Sequence, residues 1–155
     1  MGIEIERKFL VHDNTWQTAS DNGVIVRQGY LVSDQDKTVR VRIIGENAFI
    51  TIKGATKGIS RFEVEYEIPK NDAEEMLALC GNLIEKTRYL VPYSGMIWEL
   101  DVFSGSNEGL VLAELELKSE DQVFDLPAWA GEEVSGDSRY YNACLARHPF
   151  YQWAG

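Results

Sequence analysis

The sequence predicts a mainly β (α+β) fold, eight strands closed into an antiparallel tunnel barrel with helices at its periphery. Three observations lead there. Apolar and charged residues alternate along most of the strand-like runs, the period of a strand with two unlike faces. Short turn signals join run to run as hairpins. The charged faces come mostly as acid-x-acid or base-x-base doublets, whereas a merely wetted face mixes both signs with Ser, Thr, Gln and Asn.

The first run, Glu4-Ile5-Glu6-Arg7-Lys8-Phe9-Leu10, sets Glu4, Glu6 and Lys8 on one face and Ile3, Ile5 and Phe9, with Arg7, on the other. Taken alone, it also fits a half-buried strand whose charges meet water. His12 to Gly23 is polar and reads as a loop with a helical turn near Trp16. Val24 to Val32 reads as a strand, but its faces cannot be told apart, so Arg27, Gln28 and Tyr30 stay unassigned. Arg40 and Arg42 share a face of the next strand. After Gly45-Glu46-Asn47, Lys53 lies with Thr51, opposite Ile50 and Ile52. Gly54 to Ser60 is a loop. Arg61, Glu63, Glu65 and Glu67 then oppose Phe62, Val64, Tyr66 and Ile68 until Pro69 stops the strand.

Ala73, Met76, Leu77 and Cys80 recur at helical spacing, capped by Asn71 or Asp72 and ended by Gly81. Strand pattern returns over Leu83 to Val91, with Lys86 and Arg88 on one face. Past the Ser94-Gly95 turn, Glu99 and Asp101 oppose Trp98, Leu100 and Val102; after Gly105 to Gly109, Glu114 and Glu116 oppose Ala113, Leu115 and Leu117. The tail holds a loop at Pro127-Ala128-Trp129 and a helix from Asp137 or Ser138 to Arg147.

At 155 residues the chain has the size of a single domain, expected over 1–155. Its formal charge of −10 argues against nonspecific binding to nucleic acid or anionic membranes. No run reaches transmembrane length and no signal sequence precedes the first strand, which points to the cytoplasm. Cys80 and Cys144 lack metal-ligand spacing and read as reduced, structural thiols. His12 and His148 read as surface residues, and Trp16, Trp98, Trp129 and Trp153 as packing residues. Nucleotide P-loop, G-x-S-x-G and H-E-x-x-H motifs are absent.

Closing eight strands leaves an interior wide enough for one small ligand. With the charged faces inward, the bore is costly unless its charges match each other and a ligand. Clustered carboxylates suit a hard divalent cation, and inward arginines suit phosphate, which they grip with paired bonds. Pattern alone leaves a metal-and-phosphate site and a salt-bridged structural barrel equally open.

The run Glu4-x-Glu6-x-Lys8 resembles the signature of the CYTH superfamily, the triphosphate tunnel metalloenzymes. It is followed in order by Arg40-x-Arg42, Lys53, Arg61-x-Glu63-x-Glu65, Lys86-x-Arg88, Glu99-x-Asp101 and Glu114-x-Glu116, and the tail Glu133 to Tyr141 also resembles that family. The resemblance implies a tunnel that hydrolyses a linear triphosphate with one or two Mg²⁺ or Mn²⁺ ions. It casts Lys8, Arg40, Arg42, Lys53, Lys86 and Arg88, with Arg61 and Arg139, as the phosphate-binding set. Glu4, Glu6, Glu114 and Glu116 resemble metal ligands; Glu63, Glu65 and Asp101 would hold metal, water or a base, with Glu99 beside them. Lys8, Arg40, Glu4 and Glu6 are the expected catalytic core.

Inorganic tripolyphosphate is the expected substrate, the small-molecule partner of a monomer or homodimer. Thiamine triphosphatase, nucleoside triphosphatase and class IV adenylate cyclase are alternatives within the family. A non-catalytic polyphosphate-binding barrel is the alternative from another class, distinguished by binding without phosphate release.

Overall fold

The computed structural model describes residues 2–153; Met1, Ala154 and Gly155, part of the expected domain, lie outside the described residues. Strands β1 (Ile3–Val11), β2 (Val24–Ser33), β3 (Lys37–Ile44), β4 (Asn47–Gly54) and β5 (Ser60–Ile68) precede helix α1 (Lys70–Leu79). Strands β6 (Ile84–Tyr93), β7 (Met96–Ser104), β8 (Val111–Glu116) and β9 (Ala130–Glu133) follow, then helix α2 (Asn142–Arg147). The sheet runs β5-β4-β3-β2-β6-β7-β8-β1, and β1 pairs back onto β5, so eight antiparallel strands close on themselves. The two-residue turns behave as their sequences ask: Gly45, Ser94 and Gly95 all take positive φ (57°, 52° and 79°), which tight hairpins require.

The ninth strand was not expected. Along one edge of β1, β5 covers Ile3 to Ile5 and β9 pairs at Phe9 and Val11, while β8 fills the opposite edge from Glu6 to Leu10. Between them the Lys8 amide donates to Ser135 Oγ at 2.9 Å. Strand stagger opens that gap, and the tail closes it. Two helix boundaries also differ from expectation. Helix α1 starts directly after Pro69, whose carbonyl accepts from the Ala73 amide, and not at an Asn71 or Asp72 cap. The tail helix starts at Asn142; Ser138–Tyr140 forms a separate 3₁₀ turn held by Asp137.

Apolar side chains collect in three clusters. Outside β1, β6, β7 and β8, Phe9, Trp98, Leu100 and Leu115 pack under Trp16, Trp129 and Phe124 from the loops. Outside β3 and β4, Val41, Ile43 and Ala48 pack under Ala73 and Leu77 of α1. The third cluster was not foreseen, because it lies on the face that carries the charges. Leu10, Ile84, Phe103 and Leu112 continue the faces of Lys8, Lys86, Asp101 and Glu114 two residues further on, and meet Leu145 and Ala146 of α2. The bore is therefore stopped on that side by an apolar plug.

On the outer face of β2, Gly29 is where α1's exit passes closest. A Cβ there would lie 2.8 Å from Cys80 Cβ, Cys80 Sγ and Leu83 Cδ2. Gly29→Ala is expected to cost about 1–3 kcal/mol through overpacking, read as a lowered midpoint in urea denaturation. An unchanged midpoint would mean that this contact is loose.

Candidate active site

The charged faces of the strands surround one cavity of about 870 Å³. Lys8, Arg40, Arg42, Lys53, Arg61, Lys86 and Arg88 line it, and so do Glu4, Glu6, Glu63, Glu65, Glu99, Glu114 and Glu116. Period-2 alternation explains why each doublet faces one way, and closure of the barrel decides that this way is inward.

Acids gather on β1 and its neighbour β8, where Glu6 lies opposite Glu116 and Lys8 opposite Glu114; Glu99 on β7 adjoins Glu114. Burial raises the Glu6 carboxyl well above the usual carboxylate range, and a hydrogen bond to Glu114 adds to the effect. Burial acts the same way on Glu114, but Lys8, the Glu6 hydrogen bond, Arg88 and Lys86 outweigh it and hold this group well below that range. The two neighbouring carboxyls are thus pushed in opposite directions, Glu6 upward and Glu114 downward. Burial also raises Glu4, against the pull of Lys53.

Elsewhere each acid holds bases. Glu65 accepts from Thr51 Oγ1 at 2.6 Å, Arg42 at 3.0 Å and Arg40 at 3.4 Å. Lys53 lies 3.2 Å from both Glu4 and Glu63. Asp101, only 1% exposed, takes Lys86 on one oxygen at 2.8 Å and Arg88 through two bonds at 2.8 and 2.9 Å. Lys86 reaches Asn142 Oδ1 of α2 at 3.0 Å, and burial lowers it to about 8 against the pull of Asp101. Burial, with Arg40 and Arg88 nearby, lowers Arg42 to about 10. The Nε atoms of Arg40 and Arg42 are buried with no acceptor among the described residues. Such donors suit an anion that brings its own oxygens.

Arg139 does not line the cavity: its side chain is 62% exposed, pairs with Asp137 at 2.6 Å and lies over Tyr140 and Trp153. Glu63, Glu65 and Asp101, expected to hold metal, water or a base, each hold bases; Asp101 does not reach the cavity wall at all. Glu63 and Glu65 each make these contacts through one oxygen, and both line the cavity. Arg61 lines the cavity as expected, with its guanidinium donating to the Gly54 carbonyl at 3.1 and 3.2 Å.

The residues missed are Tyr30, Thr51, Ser135, Tyr141, Asn142 and Arg147. Tyr30 lies on β2 opposite Arg40, a strand without charge alternation, so no local signal gave its face. Those from the tail enter the site only because α2 docks against the barrel.

The arrangement is a bore with carboxylates crowded on one arc and bases with free donors on another. A family profile described as the CYTH domain matches residues 2–141. The chain belongs to the CYTH domain family. It is 49% identical over 152 residues, 97% of each chain, to a protein of Acetivibrio thermocellus named inorganic triphosphatase. A second protein of that name, from Nitrosomonas europaea, is 44% identical over 92% of this chain and 96% of its own. The crystal structure of the inorganic triphosphatase NE1496 superposes with a TM-score of 0.65 at 39% identity, covering 92% of this chain and 93% of that one. The CYTH fold is the eight-stranded barrel described above.

A divalent cation fits the acidic arc of this CYTH barrel on chemical grounds. Burial and the neighbouring Glu114 carboxyl raise Glu6, and two positive charges placed between them would relieve that crowding. Among the described residues no three such ligands are gathered closely enough to hold a metal alone. Glu4, Glu6, Glu114 and Glu116 would therefore share an ion with phosphate oxygens and water, the usual habit of Mg²⁺.

Proposed function

We propose that this chain hydrolyses inorganic tripolyphosphate to diphosphate and phosphate, using Mg²⁺ or Mn²⁺. The observation that carries the reading is a single bore lined by Arg40, Arg42, Lys53, Lys86 and Arg88 in which Glu4, Glu6, Glu114 and Glu116 lie together on the paired strands β1 and β8. The name shared by the two relatives supports the same substrate.

Arg40 and Arg42, which line the cavity, would bind phosphate oxygens through their guanidinium groups. Lys53, Arg88 and Lys86 keep their heads in place through Glu63, Glu99 and Asp101, so little reorganisation is needed as charge develops in transfer. Lys8, buried and kept charged by Glu114 and Glu6 against the effect of burial, faces the same space. Glu4, Glu6, Glu114 and Glu116 would hold the ion. When bound, it supplies positive charge to the phosphates and lowers the pKa of its water. Glu116 and Glu99 can accept hydrogen bonds from the attacking water. Two free thiols, Cys80 and Cys144, suit a reducing compartment, and we place the protein in the cytoplasm.

The deciding experiment measures phosphate release from tripolyphosphate, ATP and thiamine triphosphate with Mg²⁺, Mn²⁺ or a chelator. Tripolyphosphate is expected to give the highest kcat/KM, and chelator to abolish release while the thermal melt still shows a folded protein. Preference for either organic triphosphate would move the substrate elsewhere in the family. Tight tripolyphosphate binding without release in Mg²⁺ would make the barrel a polyphosphate receptor.

A further inference from the structure

Gln28 is a fully buried amide on the inward face of β2, at 0% exposure, paired in register with Arg42 on one side and Ile84 on the other. It is not a wall of the cavity. Its Nε2 donates to the Tyr30 hydroxyl at 3.0 Å, and its Oε1 has no partner among the described residues. A buried polar group with half its capacity unused is costly and calls for a reason.

Tyr30, two residues along the same face, spans two environments. Its ring packs against the apolar plug of Ile84, Phe103 and Leu112, while the residue lies opposite Arg40 in register and lines the charged cavity that Lys8 also lines. The phenol oxygen accepts from Gln28, and its own proton goes to no protein acceptor among the described residues. With the amide nitrogen toward the phenol, the phenol oxygen is the acceptor and its own O–H is left to point elsewhere.

We infer that Gln28 is a positioning residue: by donating to the Tyr30 oxygen it holds the phenol O–H as a hydrogen-bond donor into the cavity, for a phosphate oxygen of the bound substrate between Arg40 and Lys8. No proton is transferred. The neutral donor adds to the two cations a direction that flexible ammonium and crowded guanidinium groups do not supply. The inference rests on the triphosphatase reading.

The test is a double-mutant cycle on tripolyphosphate hydrolysis with Mg²⁺, using Tyr30→Phe, Gln28→Leu and the pair, with a thermal melt on each. Each single change is expected to lower kcat about 10- to 100-fold, the range in which single oxyanion donors act, with KM changing less than threefold or so. In the Tyr30→Phe background, Gln28→Leu should cost nothing more, because the hydroxyl it positions is gone. Because Leu fills similar volume and ends the unpaired acceptor, the melt should hold or rise. Losses that multiply in the pair, or a silent Gln28→Leu, would overturn the inference while wild-type turnover leaves the triphosphatase reading standing. A wild type without turnover would overturn that reading and the inference with it.

Discussion

Glu6→Gln is expected to lower tripolyphosphate hydrolysis at least about 100-fold with the barrel intact, since even the outer partners of metal-binding groups cost 10- to 100-fold when removed. The change keeps the volume of the side chain. Its amide can donate to Glu114 in place of the hydrogen bond between the two carboxyls. What it removes is the second negative charge of the pair, which a divalent ion requires. The thermal melt should therefore stay level or rise, since a half-buried acid surrounded by Glu114 and Glu4 is relieved. Raising Mg²⁺ should recover part of the rate if the loss is one of ion affinity. Near-normal turnover at low Mg²⁺ would remove Glu6 from the metal set.

Asp101→Ala is expected to be the most damaging single change to stability. Asp101 is the counter-charge for both Lys86, itself 2% exposed, and Arg88. Breaking a buried ion pair by removing one partner costs about 3–5 kcal/mol, because the remaining charge is stranded. In a chain of this size that corresponds to a melting point lower by roughly 6–20 °C. Arg88 retains Glu99 at 3.3 Å, so the stranded charge is chiefly that of Lys86, which should lose its proton at neutral pH. Asp101→Asn should fall between wild type and Ala. A melt within a degree or two of wild type would show that the three groups are not paired as described.

How legible the site was varied strand by strand. Arg40-x-Arg42, Lys86-x-Arg88 and Glu114-x-Glu116 were readable because a charge at every second position marks one face, and all six residues do line the cavity. On β2 the only ionisable side chains are Arg27 and Tyr30, and they point to opposite faces. Arg27 is outside, paired with Glu74 of α1 at 3.1 Å, while Gln28 and Tyr30 are within. A strand without a repeated charge cannot announce which face is which. Strand β9 has four residues, Ala130-Gly131-Glu132-Glu133, too few for any period. The placement of Arg139 was hidden for the opposite reason: a motif marks its place along the chain, but the 3₁₀ turn capped by Asp137 turns its side chain outward.

The chain by itself determined which side chains travel together, since alternation across a pleated strand is a local property of the backbone. Folding alone decided which acid meets a base and which meets another acid. Asp101 and Glu114 lie on neighbouring strands with the same inward aspect, yet Asp101 is enclosed by Lys86 and Arg88, whereas Glu114 adjoins Lys8 and the carboxyl of Glu6. That difference comes from register and stagger between segments far apart in sequence, where a shift of one residue would exchange every partner.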